Sequence, residues 1–68
     1  MLKLITKLKV FRAMDGLTQQ QLADKVGVSR NTINSLEKGE FSPSFLLVWK
    51  LAELFKVKTE EIVYYEEQ

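Results

Sequence analysis

Between Gln19 and Lys38 the apolar residues recur at helical spacing, break at a glycine, and then recur again. Leu22, Ala23 and Val26 share one face of a helix that starts near Gln19, and Ile33 and Leu36 share one face of a second that starts near Arg30. Gly27 stands where the first helix needs a residue free to take positive φ, and Val28 plugs the gap between the two. Thr18, with Gln21 three positions on, has the pattern of a reciprocal cap for the first helix, and Ser29 caps the second. The spacing predicts two short helices joined by a tight turn.

The flanking segments extend this helical reading. A first helix is expected over about Lys3 to Met14, on Leu4, Leu8 and Phe11, with Asp15-Gly16 ending it. Leu2, Leu4 and Ile5 read equally well as its first turn or as a short strand. Gly39 ends the third helix, and Phe41, Ser42 and Pro43 form a loop, because the residue before a proline is pushed out of the helical region. Ser44 caps a fourth helix, about Phe45 to Phe55, whose only polar positions are Lys50 and Glu53. It is expected at the centre of the core, with Phe45, Val48, Leu51, Ala52 and Phe55 facing inward. Thr59, Glu60, Glu61 and Ile62 start a short fifth helix with acids at the end where the helix dipole favours them. Tyr64 to Gln68 is aromatic, then acidic, without a clear period.

Size and composition restrict the function classes. Sixty-eight residues make one domain. A chain this short buries only about 60% of its unfolded surface, so a partner subunit would help it. The hydrophobic share of 46% argues against disorder. There is no cysteine and no histidine, which removes disulfides, the usual zinc ligands, and thiol or imidazole catalysts. No cofactor, metal or small-molecule ligand is expected, and an enzyme is the least favoured class. The longest apolar stretch, Phe45 to Trp49, is far too short to span a membrane. The first ten residues, with lysines among their apolar positions, do not resemble a signal peptide, so a cytoplasmic protein is expected.

The net charge of +1 conceals a polarity. Residues 1–38 carry seven Lys/Arg against three Asp/Glu, and residues 39–68 carry three against six. One part of the domain can attract a polyanion and the other cannot.

The stretch GLTQQQLADKVGVSRNTINSLEKGEFSPS, followed by the hydrophobic fourth helix and the V-x-x-x-E-E-I sequence ending at Ile62, resembles the Xre-type family of helix-turn-helix transcriptional regulators, the family of Cro and the phage repressors. The resemblance covers about Leu8 to Val63. It implies a compact all-α, five-helix DNA-binding domain spanning residues 1–68, with the motif at 19–38 and dimerisation through about 56–68. Some short members of the family pair their two ends as a small antiparallel ribbon; Leu2 to Ile5 and Val63 to Tyr65 have the β-favouring or apolar residues for this.

In such proteins the third helix enters the major groove and reads bases with its N-terminal side chains. Arg30 and Asn31 lie in its first turn and Ser35 one turn along the same face. Arginine suits guanine O6 and N7, and asparagine suits adenine N6 and N7. The resemblance places base reading at Arg30, Asn31 and Ser35. Contacts to the DNA backbone are expected from Gln19, Ser29, Thr32, Asn34 and Lys38, with Gln19 at a helix start whose free N–H groups suit a phosphate. Relatives also pair an arginine of the first helix with a glutamate at the end of the third, which here are Arg12 and Glu37. That pair is expected to orient the third helix.

Leu46 and Trp49 fall off the inward stripe of the fourth helix, and Ile62, Val63, Tyr64 and Tyr65 add more apolar surface. These six residues are the expected homodimer interface, which would set two recognition helices roughly 34 Å apart on a palindromic operator. The favoured expectation is a sequence-specific repressor of double-stranded DNA. The competing one is an antitoxin or protein–protein module on the same fold, with a partner protein on the apolar surface.

Overall fold

The computed structural model describes all 68 residues. The chain runs β1 (Leu2–Thr6), α1 (Leu8–Met14), α2 (Gln19–Val26), α3 (Arg30–Glu37), α4 (Phe45–Phe55), α5 (Thr59–Ile62) and β2 (Val63–Glu67). Five helices form the body, and the two strands pair antiparallel, from Leu2 opposite Glu67 to Thr6 opposite Val63.

The ribbon that the resemblance allowed between the two ends is present, and it shortens the first helix. The first helix starts at Leu8 instead of near Lys3, because the backbone of residues 2–6 finds its hydrogen-bond partners in β2. Lys7 N–H then donates to the Ile62 carbonyl at 2.8 Å, and Leu8 N–H to Thr6 Oγ1 at 3.2 Å, which turns the chain from strand into helix. Tyr64 and Tyr65, without period in the sequence, are strand residues.

Helix starts follow the capping residues. Thr18 Oγ1 accepts from Gln21 N–H at 3.0 Å while Gln21 Oε1 accepts from Thr18 N–H at 2.9 Å. Ser29 and Ser44 accept from Thr32 and Leu47 N–H at 3.2 and 3.1 Å. Gly27 sits at φ 76°, where a side chain would be strained, and its N–H closes α2 on the Ala23 carbonyl at 2.9 Å. The fifth helix begins one residue past its cap, Lys58, whose N–H donates to Glu61 Oε2 at 2.7 Å.

Eleven apolar residues, drawn from all five helices, make the core. Leu22, Ala23, Val26, Ile33 and Leu36 are all buried, so the motif's apolar face is also the centre of the protein. Along α4 the buried positions are Leu47, Val48, Leu51 and Ala52, with Phe55 half-buried and stacked on Phe11 at 5.8 Å between ring centroids. Phe45 departs from the expected inward face: it is 72% exposed. In the first turn of α4 it lines an open concavity with Leu4 and Tyr65 of the ribbon, while Leu47 takes the inward place. No helix is long and apolar enough to cross a membrane.

Candidate nucleic-acid interface

The turn at Gly27 brings α3 out of the body with its start at the surface. Arg30 and Asn31, in its first turn, are both exposed, and Thr32, Asn34 and Ser35 are half-buried. The main-chain N–H groups of Gln19 and Gln20 and of Arg30 and Asn31 make no hydrogen bond within the chain, as the first turn of a helix requires. Two helix N-termini thus present free donors and the positive ends of their dipoles.

The far end of α3 is clamped. Arg12 Nε donates to Glu37 Oε2 at 2.6 Å and Arg12 Nη2 to Glu37 Oε1 at 3.1 Å. Arg12 Nη1 also donates to the Leu17 carbonyl at 2.9 Å. One guanidinium therefore ties together α1, the loop ahead of α2, and the end of α3. The two side chains are 15% and 5% exposed. Burial by itself pushes the Glu37 carboxyl up. The hydrogen bonds from Arg12 and Gln19, with the charges of Arg12 and Lys9, outweigh it and hold Glu37 below its ordinary value. Its hydrogen bond to Glu37 raises Arg12 further, so the arginine stays charged.

Gln19 joins the same network. Its Nε2 donates to Glu37 Oε1 at 3.1 Å and to Asn34 Oδ1 at 3.2 Å. Both amide hydrogens are thereby occupied inside the chain, so what Gln19 offers an anion is its main-chain N–H, not its amide. Ser29 and Thr32 are likewise engaged with one another, their hydroxyls 3.0 Å apart. Asn34 is oriented by Gln19, and Lys38 is exposed just past α3. The structure thus gathers Arg30, Asn31, Ser35, Thr32 and Ser29 on the outer side of one helix, with Gln19, Asn34 and Glu37 linked beneath it.

Of the six residues expected at a dimer interface, Ile62 lies elsewhere. It is wholly buried in the chain's own core and has no surface to offer. Leu46, Trp49 and Tyr65 are 59%, 46% and 49% exposed, and Val63 and Tyr64 are half-buried in β2. Phe45 was not among them, yet it adds more exposed apolar surface than any of the six. One residue near α3 also went unread in the sequence: Phe41 lines a shallow concavity with Asn31, Thr32 and Ser35. Its placement depends on the path of the loop, which leaves no periodic signal.

Comparison with known proteins agrees with this geometry. A helix-turn-helix family model matches residues 8–62. The chain is 52% identical over 61 residues to an uncharacterized HTH-type transcriptional regulator, MJ0272, of Methanocaldococcus jannaschii, covering 90% of this chain and 92% of that one. It is 36% identical to RstR, the cryptic phage CTXphi transcriptional repressor of Vibrio cholerae, over 85% of this chain and 52% of that protein. The structure superposes on the restriction-modification controller protein C.AhdI of Aeromonas hydrophila with a TM-score of 0.72 and 30% identity, covering 79% and 82% of the two chains. With its glycine turn, capped α3 and matching family model, the chain belongs to the Xre-type helix-turn-helix family of DNA-binding transcriptional regulators.

Proposed function

We propose that the protein is a repressor that binds a palindromic DNA operator as a homodimer and blocks access to a promoter by occupancy. The observation that carries this reading is the first turn of α3. Arg30 and Asn31 stand free in solvent there, while Arg12 and Glu37 fix the direction of the helix from its other end. A braced helix with unpaired long polar side chains at its exposed tip is suited to meet base edges in the major groove. Arg30, Asn31 and Ser35 read bases. Ser29, Thr32, Asn34 and Lys38, with the main-chain N–H of Gln19, hold phosphates and set the register. The repressor assignment draws on the similarity to RstR.

The homodimer rests on exposed apolar surface. Leu46 and Trp49 on the outer side of α4, with Tyr65 of the ribbon, expose more large side chains than a free surface of this size needs. A second copy seated there would give each half of the operator one recognition helix. The protein acts by binding in the cytoplasm, without catalysis or cofactor.

Selection of bound duplexes from a random DNA library is the deciding experiment. Enrichment of an inverted repeat, with binding that falls steeply as salt rises, is the expected result. Failure to enrich any sequence would overturn the reading, and a direct or single half-site would overturn the homodimer.

A further inference from the structure

Phe41 is the one apolar residue lining the concavity beside α3. It is 36% exposed and shares a concavity with Asn31, Thr32 and Ser35. The loop that carries it is fixed on both sides. Gly39, at φ 71°, donates its N–H to the Leu36 carbonyl at 3.0 Å, and Glu40 N–H reaches the Ser35 carbonyl at 3.0 Å. On the other side the Ser42 hydroxyl lies 2.6 Å from the Tyr65 hydroxyl of the ribbon, and Pro43 follows. The ring is therefore held against α3 from a tethered loop.

A partly exposed aromatic ring on a surface that approaches DNA gains most where an apolar group covers it, because no polar group is then stripped of water against it. Among the hydrogen-bond donors and acceptors on the base edges of the major groove, the C5 methyl group of thymine is the largest apolar group. The geometry points to Phe41 as a specificity-determining residue that packs on a thymine methyl. Its target is a base pair neighbouring the one approached by Asn31. The inference rests on α3 being the DNA-reading helix, and it gives the site an apolar requirement that Arg30, Asn31 and Ser35 cannot supply.

The test replaces each thymine of a duplex selected from random DNA by deoxyuridine, one position at a time. This removes only the methyl group and leaves the protein untouched. For the unaltered protein one thymine in each half-site should show about a fourfold loss of affinity, the worth of one methyl group moved out of an apolar contact. Phe41→Ser should bind the thymine and deoxyuridine duplexes equally, while Asn31→Ala weakens binding to both and keeps the fourfold difference between them. If the protein selects a duplex and no deoxyuridine substitution matters, or if Phe41→Ser keeps the difference, the assignment of Phe41 is wrong while DNA reading by α3 stands. If no duplex is selected at all, both are wrong.

Discussion

Arg12 and Glu37, twenty-five positions apart, are joined by two parallel hydrogen bonds in a site where the glutamate side chain is 5% exposed. A bidentate pair fixes both distance and angle, so it sets how α3 stands relative to α1. Breaking it from one side leaves a buried charge without a partner. Arg12→Met should destabilise the domain by about 3 kcal/mol, and replacing both residues with methionine should cost less than the two single changes added together. Urea denaturation of the four proteins in the cycle measures this, and additive costs would show that the pair does not act as a unit.

The same pair gives stability a pH dependence. Glu37 binds its proton less readily folded than unfolded. Its contribution is therefore complete above the unfolded value of about 4.3 and is lost as the pH falls through the lower folded value. The thermal midpoint should drop on acidification below about pH 4, and Glu37→Gln should be less stable at neutral pH but show a flatter acid limb. Calorimetry across that range checks both halves of the statement.

Lys56 ends α4 at φ 58°, the single residue other than glycine with positive φ. A β-carbon in that conformation costs about 1 kcal/mol, part of which glycine's greater freedom in the unfolded chain takes back. Lys56→Gly should raise stability by about 0.5 kcal/mol, seen as a rise of a few degrees in the thermal midpoint. A fall would mean that the lysine side chain makes a compensating contact.

Arg30 and Lys38 should separate base reading from phosphate binding. Arg30→Ala is expected to cost about 1–3 kcal/mol on the selected operator and to relax the preference at one base pair. Lys38→Ala should weaken all sequences alike and lower the slope of log affinity against log salt by about 1. Both residues are exposed, so neither change should alter the circular dichroism spectrum.

Leu46 and Trp49 provide the corresponding test of the homodimer. Both expose about half of their surface, so Leu46→Ser with Trp49→Ser should keep the helical circular dichroism spectrum while lowering the sedimenting mass toward that of one chain. An unchanged association would move the interface elsewhere.

What was readable in the sequence were the local signals. Thr18 with Gln21, Ser29, Ser44 and Gly27 act within a few residues of themselves, and each stands where its chemistry demands. The ribbon depends on residues from opposite ends of the chain, and nothing in LKLIT alone distinguishes a strand from a helical turn. Phe45 shows a second kind of opacity. Its helical phase allows it to face inward, but it lines an open concavity beside the ribbon, a fact of tertiary placement. At the candidate interface, residue type and position singled out Arg30 and Asn31. The internal hydrogen bonds that occupy the Gln19 amide depend on how α2 and α3 cross, which no spacing records.

The ribbon also bears on the order of events during synthesis. β1 leaves the ribosome before its partner β2, with all five helices made between them. Helices α1 to α4 can form from local contacts as they emerge, but Ile62, which fills the core, and β2, which closes the ribbon, follow all four. Closing so long a loop carries the largest entropic cost of any pairing in the fold. The nascent chain therefore waits with a helix-turn-helix assembled and its hydrophobic centre open until Ile62 and β2 have emerged.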